Sequence, residues 1–214
     1  MLPQNLGPAE VRVLGSLIEK ELATPDHYPL SLNALVNACN QTSNRDPVTT
    51  FDEAVVSGAI TVLRRLGLVR SFQGSGERVP KYQHLLEDGE GLSRPERAVL
   101  GVLLLRGPQT VAEIRTRSAR LMGGDESGVD AALEALISRA PQAAAAALPR
   151  RAGQKETRYA HLLAGEVVYE QVDAAVPDEE RTDRVSMLEE ELRELRNEVA
   201  DLRAQLETFR KQFE

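Results

Sequence analysis

The sequence predicts an α+β protein, mainly α with small β-hairpins, made of two tandem winged-helix domains and a C-terminal coiled-coil helix. Three observations predict this fold. The order helix, short strand, helix, helix, hairpin occurs twice along the 214 residues. The residues that begin and end this order are similar in its two copies. A heptad repeat of apolar residues then occupies the last part of the chain.

The first copy opens with a helical stripe of apolar residues over 8–22. A Pro-rich turn follows and leaves room for one short strand at 28–30. Ser31 is suited to cap a second helix over 31–41, because its hydroxyl can accept a hydrogen bond from a free N–H of the first turn. Residues 42–52 are rich in turn-forming side chains and are predicted to form a loop.

A third helix is predicted over 53–66 and is ended by Gly67. The side of this helix that is predicted to face the core consists of Val55, Ala59, Val62, Leu63 and Leu66. Residues 68–72 and 79–86 then form the two strands of a predicted hairpin with a Gly-containing tip between them. These elements follow one another in the order of a winged helix.

The second copy is identified from its ends. Residues 92–103 repeat 6–17 at an offset of 86, and residues 158–163 repeat 81–86 at an offset of 77. The predicted helices of this copy cover 94–105, 110–121 and 126–139, and its hairpin strands cover 148–151 and 157–162. The alanine-rich run between the last helix and the hairpin receives no assignment.

Winged-helix domains are therefore predicted over 1–88 and 89–165, followed by a linker over 166–182 and a helix over 183–214. The core positions of the heptad in this last helix are Val185, Leu188, Leu192, Leu195, Val199, Leu202, Leu206, Phe209 and Phe213. A parallel pair of such helices brings opposite charges together at the flanking positions, whereas an antiparallel pair opposes arginines. We expect a parallel homodimer through this helix.

The net charge of −7 is concentrated at one end of the chain. Residues 166–214 hold 7 Lys and Arg against 15 Asp and Glu, whereas residues 1–165 are nearly neutral, so the overall charge is weak evidence against an anionic partner. No apolar window predicts a membrane span, and the start shows no secretory signal. The single cysteine, Cys39, is expected to be packed in a reducing compartment. We therefore expect a cytoplasmic protein that does not enter membranes.

A longer stretch of the first domain carries a family resemblance. The sequence TPDHYPLSLNALVNACNQTSNRDP at 24–47, preceded by VLGSLIEKE at 13–21, closely resembles the YceH-like family of uncharacterised bacterial proteins. The second domain and the tail agree with that family in outline. The resemblance implies two winged-helix domains in a cytoplasmic protein. It implies no activity, so function has to be argued from the residues.

The sequence does not favour an enzyme. The three histidines, His27, His84 and His161, are dispersed, and no metal-ligand spacing, phosphate-binding glycine motif or nucleophile elbow occurs. His84 and His161 occupy the same position of the repeat, which favours a structural role. The carboxylates of Glu19 and Glu21 are expected on solvated faces of the first helix. No catalytic residue, metal or cofactor is therefore predicted.

Winged helices commonly bind nucleic acid, and this fold-level analogy directs attention to polar and basic side chains. The loop after the second helix supplies groups that can pair with bases, and the third helix and the hairpins supply cations for phosphates. The candidates are Asn40, Gln41, Asn44, Arg45, Arg64, Arg65, Arg70, Arg78 and Lys81, with Arg150, Arg151 and Lys155 in the second domain. The alternative is that Asn44 and Asp46 close a turn before Pro47 and that the arginines form a solvated surface.

The third helix of the second domain is unsuited to a DNA groove. Its acidic residues, expected to face outward, are Asp125, Glu126, Asp130 and Glu134. Because carboxylates repel phosphate, this helix suits a protein partner better. We therefore predict a homodimer that binds double-stranded DNA mainly through its first domain, as a regulator or an architectural factor. The alternative is a protein-interaction adaptor that does not bind nucleic acid.

Overall fold

The computed structural model describes residues 2–73, 79–150 and 155–165, and these belong to one compact unit. Within these ranges the chain forms six α-helices and two three-stranded antiparallel sheets, so the α+β class is the predicted one. All the heptad positions from Val185 to Phe213 lie outside the described residues. None of the described helices combines the length and the apolar character that a membrane span requires.

The first half of the unit, residues 2–88, begins with a helix and closes with a hairpin. Its elements are α1 Pro8–Ala23, β1 Leu30–Ser31, α2 Leu32–Cys39, α3 Glu53–Arg65, β2 Val69–Phe72 and β3 Lys81–His84. Helix α2 begins at the predicted cap, where the Ser31 hydroxyl accepts a hydrogen bond from the Ala34 N–H at 3.3 Å. The predicted bounds of the first and third helices agree with α1 and α3 to within one residue.

The second half, residues 89–165, repeats this order. Its elements are α4 Arg94–Arg106, β4 Gln109–Thr110, α5 Val111–Ala119, α6 Val129–Ser138, β5 Ala145–Ala147 and β6 Arg158–His161. Capping boxes begin two of these helices, formed by Ser93 with Glu96 before α4 and by Thr110 with Glu113 before α5. A short 3₁₀ turn, Arg120–Met122, continues the chain beyond α5.

Each half carries one three-stranded sheet in which the last strand lies in the middle, in the orders β1-β3-β2 and β4-β6-β5. Val69 pairs with His84 in the first sheet, and Ala145 pairs with His161 in the second. This register makes β2 and β5 equivalent strands. It also makes His84 and His161 equivalent positions, as their place in the sequence repeat predicts.

The first strand of the second hairpin differs from the prediction. The strand β5 occupies 145–147, inside the alanine run, whereas residues 148–150 form no strand. The Leu148 N–H still donates to the Arg158 backbone oxygen at 2.8 Å, which extends the pairing by one bond. Because alanine is depleted in strands, the alanine run gives no sequence signal for β5, which forms through its pairing with β6.

The buried side of α3 is also offset from the predicted one. Val55 and Leu66, expected in the core, are 42% and 41% exposed. Ala59 and Leu63 are buried as predicted, and the other buried residues of this helix are Val56 and Ile60. Because apolar residues lie on more than one side of α3, periodicity alone does not decide between two adjacent stripes.

The two halves meet where α1 packs against α4. An added Cβ at Gly15 of α1 would lie 3.0 Å from the Leu104 Cβ, and one at Gly101 of α4 would lie 3.0 Å from the Ile18 Cγ2. At the repeat offset of 86, Gly101 is the counterpart of Gly15 and Leu104 is the counterpart of Ile18. Each half therefore offers the other the same contact, as the two subunits of a symmetric dimer do.

Candidate nucleic-acid interface

Asn40, which follows α2, is committed to the fold. Its Nδ2 donates to the Phe51 backbone oxygen at 2.7 Å, and its Oδ1 accepts from the Phe51 N–H at 2.8 Å. Both ends of the amide therefore hold the loop that leads into α3. Asn40 fixes the position of this helix and is not available to a base.

Arg45, predicted to read bases, has a side chain that is 0% exposed. Its guanidinium donates to the backbone oxygens of Ala38 and Asn44, and its Nη2 lies 2.7 Å from the Glu19 Oε2. The same nitrogen donates to the Gln41 Oε1 at 3.1 Å. Arg45 is therefore not part of the candidate interface, because its donors are buried and already hydrogen-bonded. The Gln41 side chain points to Arg45 and not to solvent.

Asn44 has a φ of +58°, in the left-handed region that asparagine tolerates better than most residues. Its Oδ1 accepts a hydrogen bond from the Arg106 Nη1 of α4 at 3.2 Å. The contacts of Asn44 thus favour the alternative that it closes a turn. The loop candidates from Asn40 to Arg45 all serve the fold.

The carboxylate of Glu19 lies at the junction of the halves and not in solvent. Glu19 is 3% exposed, its Oε1 accepts from the Arg120 Nη2 at 2.9 Å, and its other oxygen holds Arg45. The expectation of a solvated face is wrong for Glu19, because Arg45 of the loop after α2 and Arg120 of the 3₁₀ turn lie over its carboxylate. The spacing of apolar residues indicates the apolar side of a helix that is buried, and it does not indicate a polar side that is buried by another element.

Glu21 has a similar place on the other side of α1. Its Oε2 lies 2.8 Å from the His84 Nε2 and 3.4 Å from the Arg97 Nε of α4. Burial raises the pKa of Glu21, but the hydrogen bond with His84 and the charge of Arg97 together lower the pKa below its usual value. Glu21 therefore stays ionised as part of a structural ion pair.

Among the described residues, His161, the counterpart of His84, has no carboxylate partner of this kind. Its Nδ1 is buried without a hydrogen bond to the described residues, and burial lowers its pKa to about 4. The position that corresponds to Glu21 in the second half is Gly107, which offers no carboxylate. Among the described residues, no three His, Cys, Asp or Glu side chains are grouped to hold a metal ion.

A basic groove remains as the exposed candidate site. We define it by its lining, which consists of Thr61, Arg64, Arg65, Val69, Arg70 and Ser71. Its three arginines are exposed, two on the last turn of α3 and one on β2, and no carboxylate lines the groove within the described residues. Arg70 also donates to the side-chain oxygen of Gln83 at 2.7 Å when the Gln83 amide is oriented so that its oxygen faces a donor and its nitrogen faces an acceptor. The groove therefore concentrates positive charge beside an exposed helix.

The equivalent surface of the second half is not basic. The Leu63 oxygen accepts from the Leu68 N–H, and the Leu136 oxygen accepts from the Ala144 N–H, which aligns the ends of α3 and α6. The positions that correspond to Arg64, Arg65, Arg70 and Ser71 are then Ile137, Ser138, Ala146 and Ala147. Since the same fold forms without these charges, the arginines of the first half are not a requirement of folding.

The remaining predicted cations are dispersed. Lys81 is half-buried on β3, where it pairs with Ser31 and Phe72, and it already takes part in an interaction. Arg150 is exposed and donates to the Thr157 hydroxyl at 3.0 Å, and Lys155 is exposed. Arg78 and Arg151 lie outside the described residues.

The four acidic residues expected on the outer side of the third helix in the second half, Asp125, Glu126, Asp130 and Glu134, are all exposed. Asp130 accepts from the Arg115 Nε of α5 at 3.1 Å, so one of the four charges is paired. Helix α6 begins at Val129 and not at the predicted residue 126, so Asp125 and Glu126 lie before it, and the exposed acidic residues occupy α6 and the loop that leads into it.

Fold and site define a class of protein: an α+β chain of two similar halves, joined through α1 and α4, with a basic groove on the first half. The chain belongs to the family described as "Protein of unknown function, DUF480", which matches residues 6–154. This membership confirms that the chain is one of an uncharacterised group of bacterial proteins, as the resemblance at 13–47 implies.

Relatives of this family match the chain over nearly its full length. A UPF0502 protein of Pelobacter propionicus is 49% identical over 98% of this chain and 98% of its own length. A UPF0502 protein of Geotalea daltonii is 50% identical over 98% of this chain and 99% of its own length. One of Azoarcus sp. is 47% identical over 98% of this chain and 95% of its own length. The similarity therefore extends across both halves and into the C-terminal segment.

Proposed function

We propose that this protein binds double-stranded DNA through a winged-helix domain in its first half, and that the second half is a second winged-helix domain. Two features support the winged-helix interpretation. Each half has three helices followed by a hairpin, and the last strand of the hairpin pairs with the short strand before the second helix. In such a domain α3 enters the major groove and the β2–β3 hairpin is the wing.

The observation that carries the proposal is the basic groove between α3 and β2. Arg64, Arg65 and Arg70 contribute three guanidinium groups, and Arg70 has a loose ion pair, at 3.9 Å, with the exposed carboxylate of Asp88, which lies outside the groove lining. Guanidinium groups bind phosphate oxygens through paired, charge-assisted hydrogen bonds. Since these arginines flank the helix that would meet the bases, phosphate contacts would fix its register on the duplex.

Base recognition then falls to the exposed side of α3. Asn40 and Arg45 are committed to the fold, whereas Ser57 and Thr61 are exposed hydroxyl residues of α3. Hydroxyl groups can donate to or accept from base edges, and the threonine methyl can contact the methyl group of thymine. We infer that these two residues discriminate between sequences.

The second candidate function is that of a protein-interaction adaptor, and the exposed acidic residues of α6 and of the loop before it favour it. A basic segment of a partner protein would complement Glu126 and Glu134, which are exposed, whereas Asp125 already accepts hydrogen bonds from Ser127. Adaptor binding and DNA binding use different halves. They are therefore separable by substitution.

Fluorescence anisotropy with a labelled random duplex pool, titrated at two salt concentrations, tests the DNA-binding proposal. We expect weak binding, with a Kd of roughly 10⁻⁴–10⁻⁶ M, that weakens steeply with salt. The double variant Arg64→Ala and Arg65→Ala should bind less tightly, and its salt slope should fall by about one unit for each lost phosphate contact.

The matched control is Arg115→Ala, which removes an exposed arginine from the second half. This variant should keep both the affinity and the salt slope, because Arg115 lies on α5, outside the groove. Binding that is absent at low salt, or equally weakened in the control, would contradict the DNA-binding proposal and leave the adaptor.

A further inference from the structure

A second cationic site lies at the junction of the two halves, apart from the basic groove. We call it the junction pocket. Its lining consists of Glu19, Asn44, Val102, Leu105, Arg106, Arg117, Arg120 and Leu121. The first two residues belong to the first half and the others to the second half. A molecule bound here would contact both halves at once.

The charges in this pocket do not cancel. Three guanidinium groups face one carboxylate, that of Glu19, so the lining has a net charge of +2. Both oxygens of Glu19 are already engaged, one by Arg45 at 2.7 Å and the other by Arg120 at 2.9 Å. Arg106 is bound to a neutral amide oxygen, that of Asn44. The pocket therefore has more positive charge than its own acceptors neutralise.

Arg117 is the least engaged of the three arginines. Its Nη2 lies 3.6 Å from the Glu113 Oε1, beyond an ordinary hydrogen bond. The other oxygen of Glu113 accepts from Arg158 at 3.0 Å and from the Thr110 N–H at 2.9 Å. The carboxylate that Arg117 pairs with is thus shared with other donors, and the guanidinium of Arg117 is free to turn toward a ligand.

We propose that the junction pocket binds a small oxyanion of the phosphate class, held by Arg117 and Arg120. The side chains of these two arginines are 29% and 58% exposed, so both reach solvent. The enclosed volume is only about 20 Å³, so the anion sits at the mouth of the pocket, between the guanidinium groups. Planar guanidinium groups match the oxygens of phosphate in pairs.

The experiment measures the melting temperature of the full-length protein in inorganic phosphate and in chloride at equal ionic strength. A ligand that binds only the folded state raises the melting temperature. At ten times its Kd, phosphate should raise the value for a chain of this size by about 3–6 °C. A parallel series with adenosine monophosphate distinguishes a free phosphate from an organic phosphate ester.

Arg117→Ala is the test variant, because within the described residues Arg117 makes no bond across the junction, and its loss should leave the fold intact. Arg115→Ala is the matched control on the same helix, where Arg115 pairs with Asp130 outside the pocket. The phosphate-dependent shift should be lost in Arg117→Ala and kept in Arg115→Ala. General salt effects of phosphate raise the melting temperature of the wild-type protein and of both variants equally, so they cancel when the shifts are compared.

Broadening of the phosphorus NMR signal of phosphate, recorded below the melting temperature of every variant, reports binding even if Arg117→Ala is less stable. An equal shift in the wild-type protein and Arg117→Ala, or no shift with either phosphate compound, would overturn the proposal. The site is independent of DNA binding, so the Arg64→Ala and Arg65→Ala variant should keep the response. Loss of the response in that variant would assign the anion to the basic groove instead.

Discussion

Glu19 joins the two halves of the molecule through one buried carboxylate. It accepts from Arg45 of the first half and from Arg120 of the second half, and Arg45 is itself 5% exposed. A buried ion pair adds little net stability, because removing both charges from water costs about as much as their attraction returns. Its geometry is nevertheless specific. Glu19 therefore determines how the halves fit together more than how stable they are.

At the scale of the residue, His161 predicts a pH dependence of stability. Burial lowers its pKa to about 4, whereas a histidine in an unfolded chain has a pKa of about 6.5. Between these values the unfolded chain binds a proton that the folded chain does not bind. The free energy of unfolding should therefore fall as the pH decreases below about 6.5, by about 2 kcal/mol between pH 7 and 5.

Urea unfolding at pH 7 and pH 5 measures this effect. His161→Gln lacks the titrating group and should lose less stability than the wild-type protein over this interval. His27→Gln is the matched control, because it makes the same substitution at an exposed histidine in the turn after α1. An equal pH dependence in all three proteins would show that His161 is not the group responsible.

At the scale of the element, the pairing of α1 with α4 depends on two glycines. Gly15 and Gly101 leave space for the Leu104 and Ile18 side chains of the opposite helix. Glycine is unfavourable inside a helix by about 1 kcal/mol relative to alanine. Its presence at both equivalent positions is explained by the close approach of the helices, which a methyl group would prevent.

Substitution of these glycines tests the packing of α1 against α4. Gly15→Ala should destabilise the protein by about 1–2 kcal/mol net, because the new Cβ meets the Leu104 Cβ, which is fixed to its helix backbone. Gly58→Ala on the exposed side of α3, where no atom lies within 4 Å, should instead stabilise by about 0.5–1 kcal/mol. Chemical denaturation measures both, and a stabilising Gly15→Ala would contradict the close packing.

At the scale of the whole molecule, the heptad over 185–213 predicts a parallel homodimer. Leu195 and Leu202 occupy core positions of the predicted coiled coil, so replacing both by Asp in the full-length chain should convert a dimer into a monomer. Glu194→Gln, at a solvent-facing heptad position, is the control and should leave the dimer intact. Light scattering measures the mass, and a wild-type monomer at micromolar concentrations would contradict the prediction.

The sequence by itself determined the local structure and the duplication. The bounds of α1, α3 and α4, the Ser31 cap and the equivalence of His84 and His161 all follow from patterns within short stretches or from the repeat of those stretches. It also selected Arg64 and Arg65 as exposed cations, because charged residues at the end of an amphipathic helix seldom face a core. These features depend on interactions between residues that are close in the sequence, and such interactions can be predicted from sequence patterns.

Only the tertiary structure decided which polar residues are free to act. Glu19 and Arg120 are 101 residues apart in the chain, yet they form a hydrogen bond, and Arg45 is buried beside them. No local pattern predicts such a contact. Whether a charge faces water depends on which distant element covers it, and a buried charge persists only where that element supplies its partner. Contacts with Ala38, Glu19 and Gln41 thus made Arg45 structural, and Arg120 of the second half completed the burial of Glu19, while the basic groove stayed exposed.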